Sequence, residues 1–345
     1  MTIVHINPSL LTPLSSHQQH SYKHQSPKME AVKNIGKELL TPDNPFQPGH
    51  QQPIQQQSPP GLETKMNPSP IYDQLPVGGG LTDEKGQVKV EKYRASGKLE
   101  GRKALITGGD SGIGRSVAIL YALEGADVAI VYLPEEQEDA AITQSQVIKA
   151  GHKCVLIPTD IQTEANCISA VERTVAELGG LDILVNNAGY QMEQITIEDI
   201  TEAQLDRTFR TNIYSQFFLT KAALKHIPRG GAIINCASVN HYKGHPKLLD
   251  YTATKGAIVA FTRALSQQIA DKGIRVNAVA PGPIWTPLVV ATMGKESLDG
   301  FSGVPLGRAG QPSEVATCFV FLAGPDSSFM TGQTLHPNGG TVVNG

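Results

Sequence analysis

Residues 103–124 read KALITGGDSGIGRSVAILYALE, and the order of their parts decides the fold. KALIT, 103–107, is a short apolar run of the kind that a strand buried on both faces requires. Glycines at 108, 112 and 114 follow at once, and from Ile113 the apolar residues fall at helical spacing as far as 124. Those glycines allow a tight turn, close approach of the backbone to a pyrophosphate, and close packing of a helix on the strand. The amides and dipole at the start of that helix favour phosphate charge. Strand, glycine turn and helix in this order describe a dinucleotide site. The spacing is G-x-x-x-G-x-G instead of G-x-G-x-x-G, which points to one branch of dinucleotide-binding proteins.

The same alternation continues outward. Apolar runs at 127–132, 153–158, 182–186, 232–237 and 275–280 join 103–107 as strands, and helical patterns occupy 113–124, 135–150, 164–178, 201–226, 249–272 and 312–322. Right-handed crossovers make this a doubly wound α/β fold: one parallel, Rossmann-type sheet with helices on both faces and ligands beyond the carboxyl ends of the strands. No repeat or second compact domain is evident. Residues 99–345 form this domain, 76–98 an ordered arm leading into it, and 1–75 a long irregular tail, disordered or draped along the surface. PFQPGHQQPIQQQSPPGLETK, 45–65, typifies the tail and has too few apolar residues to offset its ordering entropy.

Composition narrows the function. A net charge of −3 in 345 residues supplies no basic field for nucleic acid or an anionic membrane, and no apolar run approaches the ~20 residues of a spanning helix. The start of the chain lacks the features of a secretory signal, and the first arginine is Arg94, which argues against a transit peptide. Cys154, Cys167, Cys236 and Cys318 are scattered, as buried reduced thiols in a cytoplasmic protein would be. His17, His20 and His24 have no thiol or carboxylate partner nearby in the tail, so no metal site is expected.

Further motifs follow in a fixed order: NNAG at 186–189, Asn212 in the long fourth helix, Ser238 after a strand, Tyr251 and Lys255 as Y-x-x-x-K, PGPIWT at 281–286 and SSFMTGQTLHPNGG at 327–340. With TGGDSGIG, these make residues 99–345 resemble the short-chain dehydrogenase/reductase family. In the last motif Asn338 stands where an Asp is common. Tyr72, Lys89, Arg94, GGDSGIGR and YLPEEQEDA further resemble a subgroup of bacterial general-stress oxidoreductases and glucose and ribitol dehydrogenase homologues.

The residues make chemical sense together. A phenol of pKa roughly 10 is a poor base near neutrality, but Lys255, four residues on and on the same helical face, can lower it electrostatically. The resemblance implies that Tyr251 exchanges the proton of an alcohol or carbonyl while hydride passes to or from a nicotinamide. By the same resemblance Lys255 bonds the ribose, Ser238 polarises the substrate oxygen and Asn212 organises a water linking Lys255 to solvent. The catalytic set is therefore Asn212, Ser238, Tyr251 and Lys255.

The expected cofactor contacts are Gly108, Ser111, Gly112, Ile113 and Gly114 at the phosphates, and Tyr132 at the end of the second strand. Resemblance adds Asp160 and Ile161 near the adenine, then Asn186, Ala188 and Gly189, then Pro281, Gly282, Ile284 and Thr286 at the nicotinamide. Asn186 and Asn187 also suit a purely structural role, tying strands together. Tyr132, Leu133, Pro134 and Glu135 carry neither determinant of cofactor choice in its usual place. Glu135 and Glu136 would repel a 2′-phosphate, while Ser111 and Arg115 could offset that. Either NAD or NADP is therefore expected to bind.

Gln191, Ser238, His241 and Trp285 are the expected substrate contacts, in a pocket suited to a polyol or sugar, or to a small aldehyde or ketone. The resemblance implies a homo-oligomer, dimer or tetramer, packed through long helices, and 201–226 and 251–269 have enough apolar residues for that. A different class of reading is a catalytically idle dinucleotide-binding protein whose tail recruits partners.

Overall fold

The computed structural model describes residues 44–343. Seven parallel strands form its main sheet: β3 (Lys103–Thr107), β4 (Asp127–Tyr132), β5 (Cys154–Pro158), β6 (Ile183–Asn186), β7 (Ala232–Cys236), β8 (Arg275–Val279) and β9 (Thr334–Leu335), in the order β5-β4-β3-β6-β7-β8-β9. β1 (Gln74–Pro76) and β2 (Val90–Lys92) form a separate antiparallel pair ahead of it. The strand order reverses beside β3, where β4 and β6 flank it on opposite edges. That is the switch point at which doubly wound sheets bind ligands.

Alternation along each strand distributes side chains to two helical layers. Ala104 and Ile106 join Val128, Ile130, Val185 and Ile234 against one layer, made of α1 (Gly112–Leu123), α2 (Gln137–Lys149) and α10 (Pro312–Ala323). Leu105 joins Ala129, Val131, Leu184 and Ile233 against α3 (Glu164–Leu178), α5 (Ser215–Ala223) and α7 (Leu249–Gln268). α4 (Glu202–Phe209), α6 (Asn240–Lys243), α8 (Pro287–Thr292) and α9 (Lys295–Asp299) complete the helices, the last three at the carboxyl end of the sheet. The thiols of Cys154, Cys167 and Cys236 are buried and Cys318 is partly so; burial raises all four pKa values, and no disulfide forms among them. Among the described residues no helix is long and apolar enough to cross a membrane, and no His/Cys/Asp/Glu cluster could hold a metal. His17, His20 and His24 lie outside the described residues.

The expected helix 201–226 is three pieces. α4 and α5 are separated by a π-helical segment, Arg210–Tyr214, in which the Ser215 amide bonds back to the Arg210 carbonyl. The backbone at the caps of this segment stays right-handed helical, so a helical reading of 201–226 spans it without a break.

Residues 44–72 run over the carboxyl end of the sheet as a strap. Phe46, Glu63 and Met66 are buried, and backbone bonds join Gly49 to Gly307 (2.9 Å) and Gln57 to Val290 (3.1 Å). The Trp285 indole donates to the Pro68 carbonyl at 3.0 Å and packs with Met66 and Val290. Few apolar residues suffice here, since main-chain polar groups find partners on the body beneath.

Candidate active site

One groove, with a cavity of about 430 Å³, opens at the switch point. Its floor is the glycine loop, where Gly108 and Gly112 have φ of +62° and +50°, a region that disfavours other residues. A Cβ on Gly114 would meet the Gly108 carbonyl oxygen at 1.8 Å, so α1 is allowed to start hard against the loop. Gly114 itself does not line the groove; Gly108, Ser111, Gly112 and Ile113 do. The Asn187 side chain donates to the Thr107 and Gly108 carbonyls at 3.0 and 3.2 Å, fixing the loop to the end of β6.

Further along the groove lie Tyr132, Asp160, Ile161, Ala188, Gly189, Pro281, Gly282, Ile284 and Thr286, all expected there. Asn186 is not among them. Its side chain lies in the sheet, donating to Asn235 at 2.9 Å and to Thr220 at 3.5 Å, and so ties β6 to its neighbours.

Tyr251 and Lys255 stand one turn apart at the start of α7, facing Ser238 just beyond β7. All three are buried and all line the groove. The Lys255 ammonium donates to the Cys236 carbonyl at 2.7 Å and lies 5.2 Å from the Tyr251 ring centre. Desolvation lowers the Lys255 pKa and raises that of Tyr251; a hydrogen bond with Ser238 opposes the latter. Lys255 is expected to lower the phenol; in the structure burial is the dominant influence and the phenol stands above its ordinary range. Asp250, also buried, anchors the turn by accepting from the Tyr251 amide at 2.8 Å and from Thr208 at 2.8 Å.

Asn212 sits in the π segment with its amide committed. It accepts from the Tyr190 amide at 2.6 Å and donates to the Tyr190 carbonyl at 2.8 Å and to Thr254 at 3.0 Å. It therefore holds the chain after NNAG against α7 from behind the groove.

Three expectations at the rim and loop are corrected. Trp285 is fully buried beneath the strap and lies outside the groove lining. His241 turns away: its ring bonds the Ser238 carbonyl and packs on Tyr242, 4.1 Å between centres, and on His336 at 5.8 Å. Arg115 is not available to a phosphate, because its guanidinium is buried among Glu63, Asp139, Thr143 and the Asp110 carbonyl. Gln191 does line the groove, and donates to Thr292 at 2.9 Å.

Sequence reasoning missed the strap's share of the site. Pro59 and Pro60 line the groove, and Glu63 accepts from the Gly112 amide at 2.7 Å. It also missed Asp110, an acid on the groove wall; Glu136, expected near the cofactor, lies on the same wall, and burial raises the pKa of both. GLETKM in a Gln/Pro-rich stretch carries no periodicity that would have singled out Glu63.

The fit of a dinucleotide rests on these features: a bare-backbone loop at a helix start, an elongated groove past Asp160 and Pro281, and a buried Ser–Tyr–Lys cluster at its far end. Comparison with known proteins agrees. The family model described as Enoyl-(Acyl carrier protein) reductase matches residues 108–342. General stress protein 39 of Bacillus subtilis is 55% identical over 293 residues, covering 84% of this chain and 96% of its own. Glucose and ribitol dehydrogenase of Daucus carota is 50% identical over 299 residues, covering 85% and 97%. A short-chain dehydrogenase from Burkholderia cenocepacia, solved in complex with NADP, superposes with a TM-score of 0.67 at 31% identity, covering 70% of this chain and 98% of that one.

Proposed function

The chain belongs to the short-chain dehydrogenase/reductase family of oxidoreductases, and we propose that it moves a hydride between a nicotinamide dinucleotide, NADP or NAD, and the CH–OH or C=O group of a small sugar, polyol or carbonyl compound. The observation that carries this is the Ser238–Tyr251–Lys255 cluster, buried together on one groove with the glycine loop. Gly108, Ser111, Gly112 and Ile113 hold the phosphates, Asp160 and Ile161 the adenine end, and Ile284 and Thr286 the nicotinamide end. When bound, the dinucleotide supplies the hydride acceptor or donor. Ser238 orients the substrate oxygen by a hydrogen bond. The Tyr251 hydroxyl gives that oxygen a proton in carbonyl reduction and takes one from it in alcohol oxidation. Lys255 favours the phenolate by its charge. Asn212 acts as a positioning residue through its side-chain bonds to Tyr190 and Thr254, beside the water-organising role expected of it.

The substrate end is lined by polar Gln191, Asn240, Lys243 and His245 together with apolar Leu288, Val289 and Met293. Such a wall suits a polyol, whose hydroxyls need partners while its carbon frame packs. The enzyme is read as a cytoplasmic homo-oligomer. Steady-state turnover with NAD and NADP against sugars, polyols, aldehydes and ketones tests the reading. Turnover of at least one CH–OH or carbonyl class is expected; a folded, dinucleotide-binding protein silent across all of them would favour the idle binding protein instead.

A further inference from the structure

The strap lies outside the segment matched by the family model, residues 108–342. The Bacillus subtilis match, 293 residues long, exceeds the stretch 99–345 and so reaches back into the residues before it. What the strap touches is specific. Its Glu63 carboxylate, 2% exposed as a residue, accepts from the Gly112 amide at 2.7 Å on one oxygen and bonds Tyr72 and Arg115 on the other. Arg115, in the first turn of α1, also donates to the Asp110 carbonyl at 2.7 Å, to Thr143 at 3.0 Å and to the Asp139 carbonyl at 3.0 Å. Asp139 in turn accepts from the Glu63 and Thr64 amides at 2.7 and 3.1 Å. A ring of charge-assisted bonds thus joins the strap, α2 and both ends of the loop segment Asp110–Gly112.

Glu63 does not line the groove; it reaches Gly112 from behind. A few residues to either side, the strap holds the opposite wall, through the Gln57 bond to Val290, the Trp285 bond to Pro68 and the seat of Gly61 against Pro287 and Ala291. A glycine-rich loop is otherwise free to sample many conformations, and fixing it before the ligand arrives removes that entropy from the cost of binding.

We propose that Glu63 is a positioning residue for the dinucleotide: the N-terminal strap clamps the phosphate-binding loop through Glu63 and Arg115 and braces it against the 284–292 wall, so that cofactor affinity depends on a carboxylate outside the dinucleotide fold. The proposal rests on the oxidoreductase reading above. Removing one charge-assisted anchor of the loop should weaken dinucleotide binding about tenfold, equivalent to about 1.4 kcal/mol.

The test is titration of full-length wild type and Glu63→Gln with NADH and NADPH at pH 8, together with kcat at saturating cofactor. Emission of Trp285, the single tryptophan, reports whether the strap is docked. The expected result is a dinucleotide Kd and KM raised about tenfold with kcat within about twofold and Trp285 emission unchanged. An unchanged Kd in folded Glu63→Gln overturns the clamp, whatever happens to its melting temperature, since a merely structural role would move only the latter. If Glu63→Gln does not fold, Tyr72→Phe takes its place. It leaves every charge and removes one bond to the carboxylate, and should raise Kd two- to threefold; no change there overturns the clamp equally. Wild type that binds neither dinucleotide sinks the oxidoreductase reading and the clamp with it, whereas wild-type binding with an indifferent variant sinks the clamp alone.

Discussion

At Tyr251 and Glu63, chemistry is set by how much water a side chain has lost. Burial holds the Tyr251 phenol above its ordinary range, so it stands protonated, the form that the proposed carbonyl reduction requires. Alcohol oxidation needs the deprotonated form, whose share grows with pH. The rate of oxidation at limiting substrate should therefore rise between pH 7 and 9 while reduction does not, checked by initial rates in both directions. Glu63 is pushed up to about 7 from 4.5, chiefly by burial, with Arg115 pulling the other way. A raised pKa means that the folded state binds this proton more tightly than the unfolded one. Its stabilisation is complete below pH 4.5 and lost as pH rises through 7. Glu63→Gln should therefore gain on wild type by on the order of 2–3 kcal/mol between pH 4.5 and 8 in urea unfolding. Legibility at this scale was uneven. Ser238, Tyr251 and Lys255 were found because their spacing is local and their chemistry mutual. Trp285 and His241 were misplaced because rotation of a side chain at a strand end follows from what covers it, and the strap covering Trp285 is far away in sequence.

Elements were legible where burial is periodic. Alternating side chains of β3 to β8 face two helical layers, and the six runs in the sequence are those strands. The helix 201–226 runs as three pieces because a π segment changes the backbone bond pattern, which residue types alone do not report. The strap escaped for a different reason: it is held by main-chain bonds and a few anchors, and neither leaves a pattern in composition. Its dependence on Trp285 is measurable. Trp285→Ala should cost about 3–5 kcal/mol in denaturant unfolding, from the vacated volume beside Met66 and Val290 and the lost bond to Pro68. A cost below 1 kcal/mol would mean that the strap is not packed on the body in solution.

For the whole molecule, the layer of α4, α5 and α7 keeps apolar surface in water: Leu205, Tyr214, Phe217 and Leu249 are each more than 40% exposed, and Phe217 packs on Phe261 at 4.2 Å between centres. Self-association through this face follows from the homo-oligomer reading, so light scattering should give a dimer or tetramer mass, and Phe217→Asp should lower it. Doubly wound architecture, switch-point groove and dinucleotide loop were all readable from one strand–turn–helix, since that local sequence fixes where the groove opens. Substrate was not, because the groove wall draws on Gln191, His245 and Met293 from three distant segments. The hydride-transfer reading is tested most directly by Tyr251→Phe, assayed for turnover and for dinucleotide Kd on the same preparation. Turnover should fall by at least about a hundredfold with Kd within about twofold of wild type; turnover retained in the folded mutant would contradict the assignment of Tyr251 as the proton donor and acceptor.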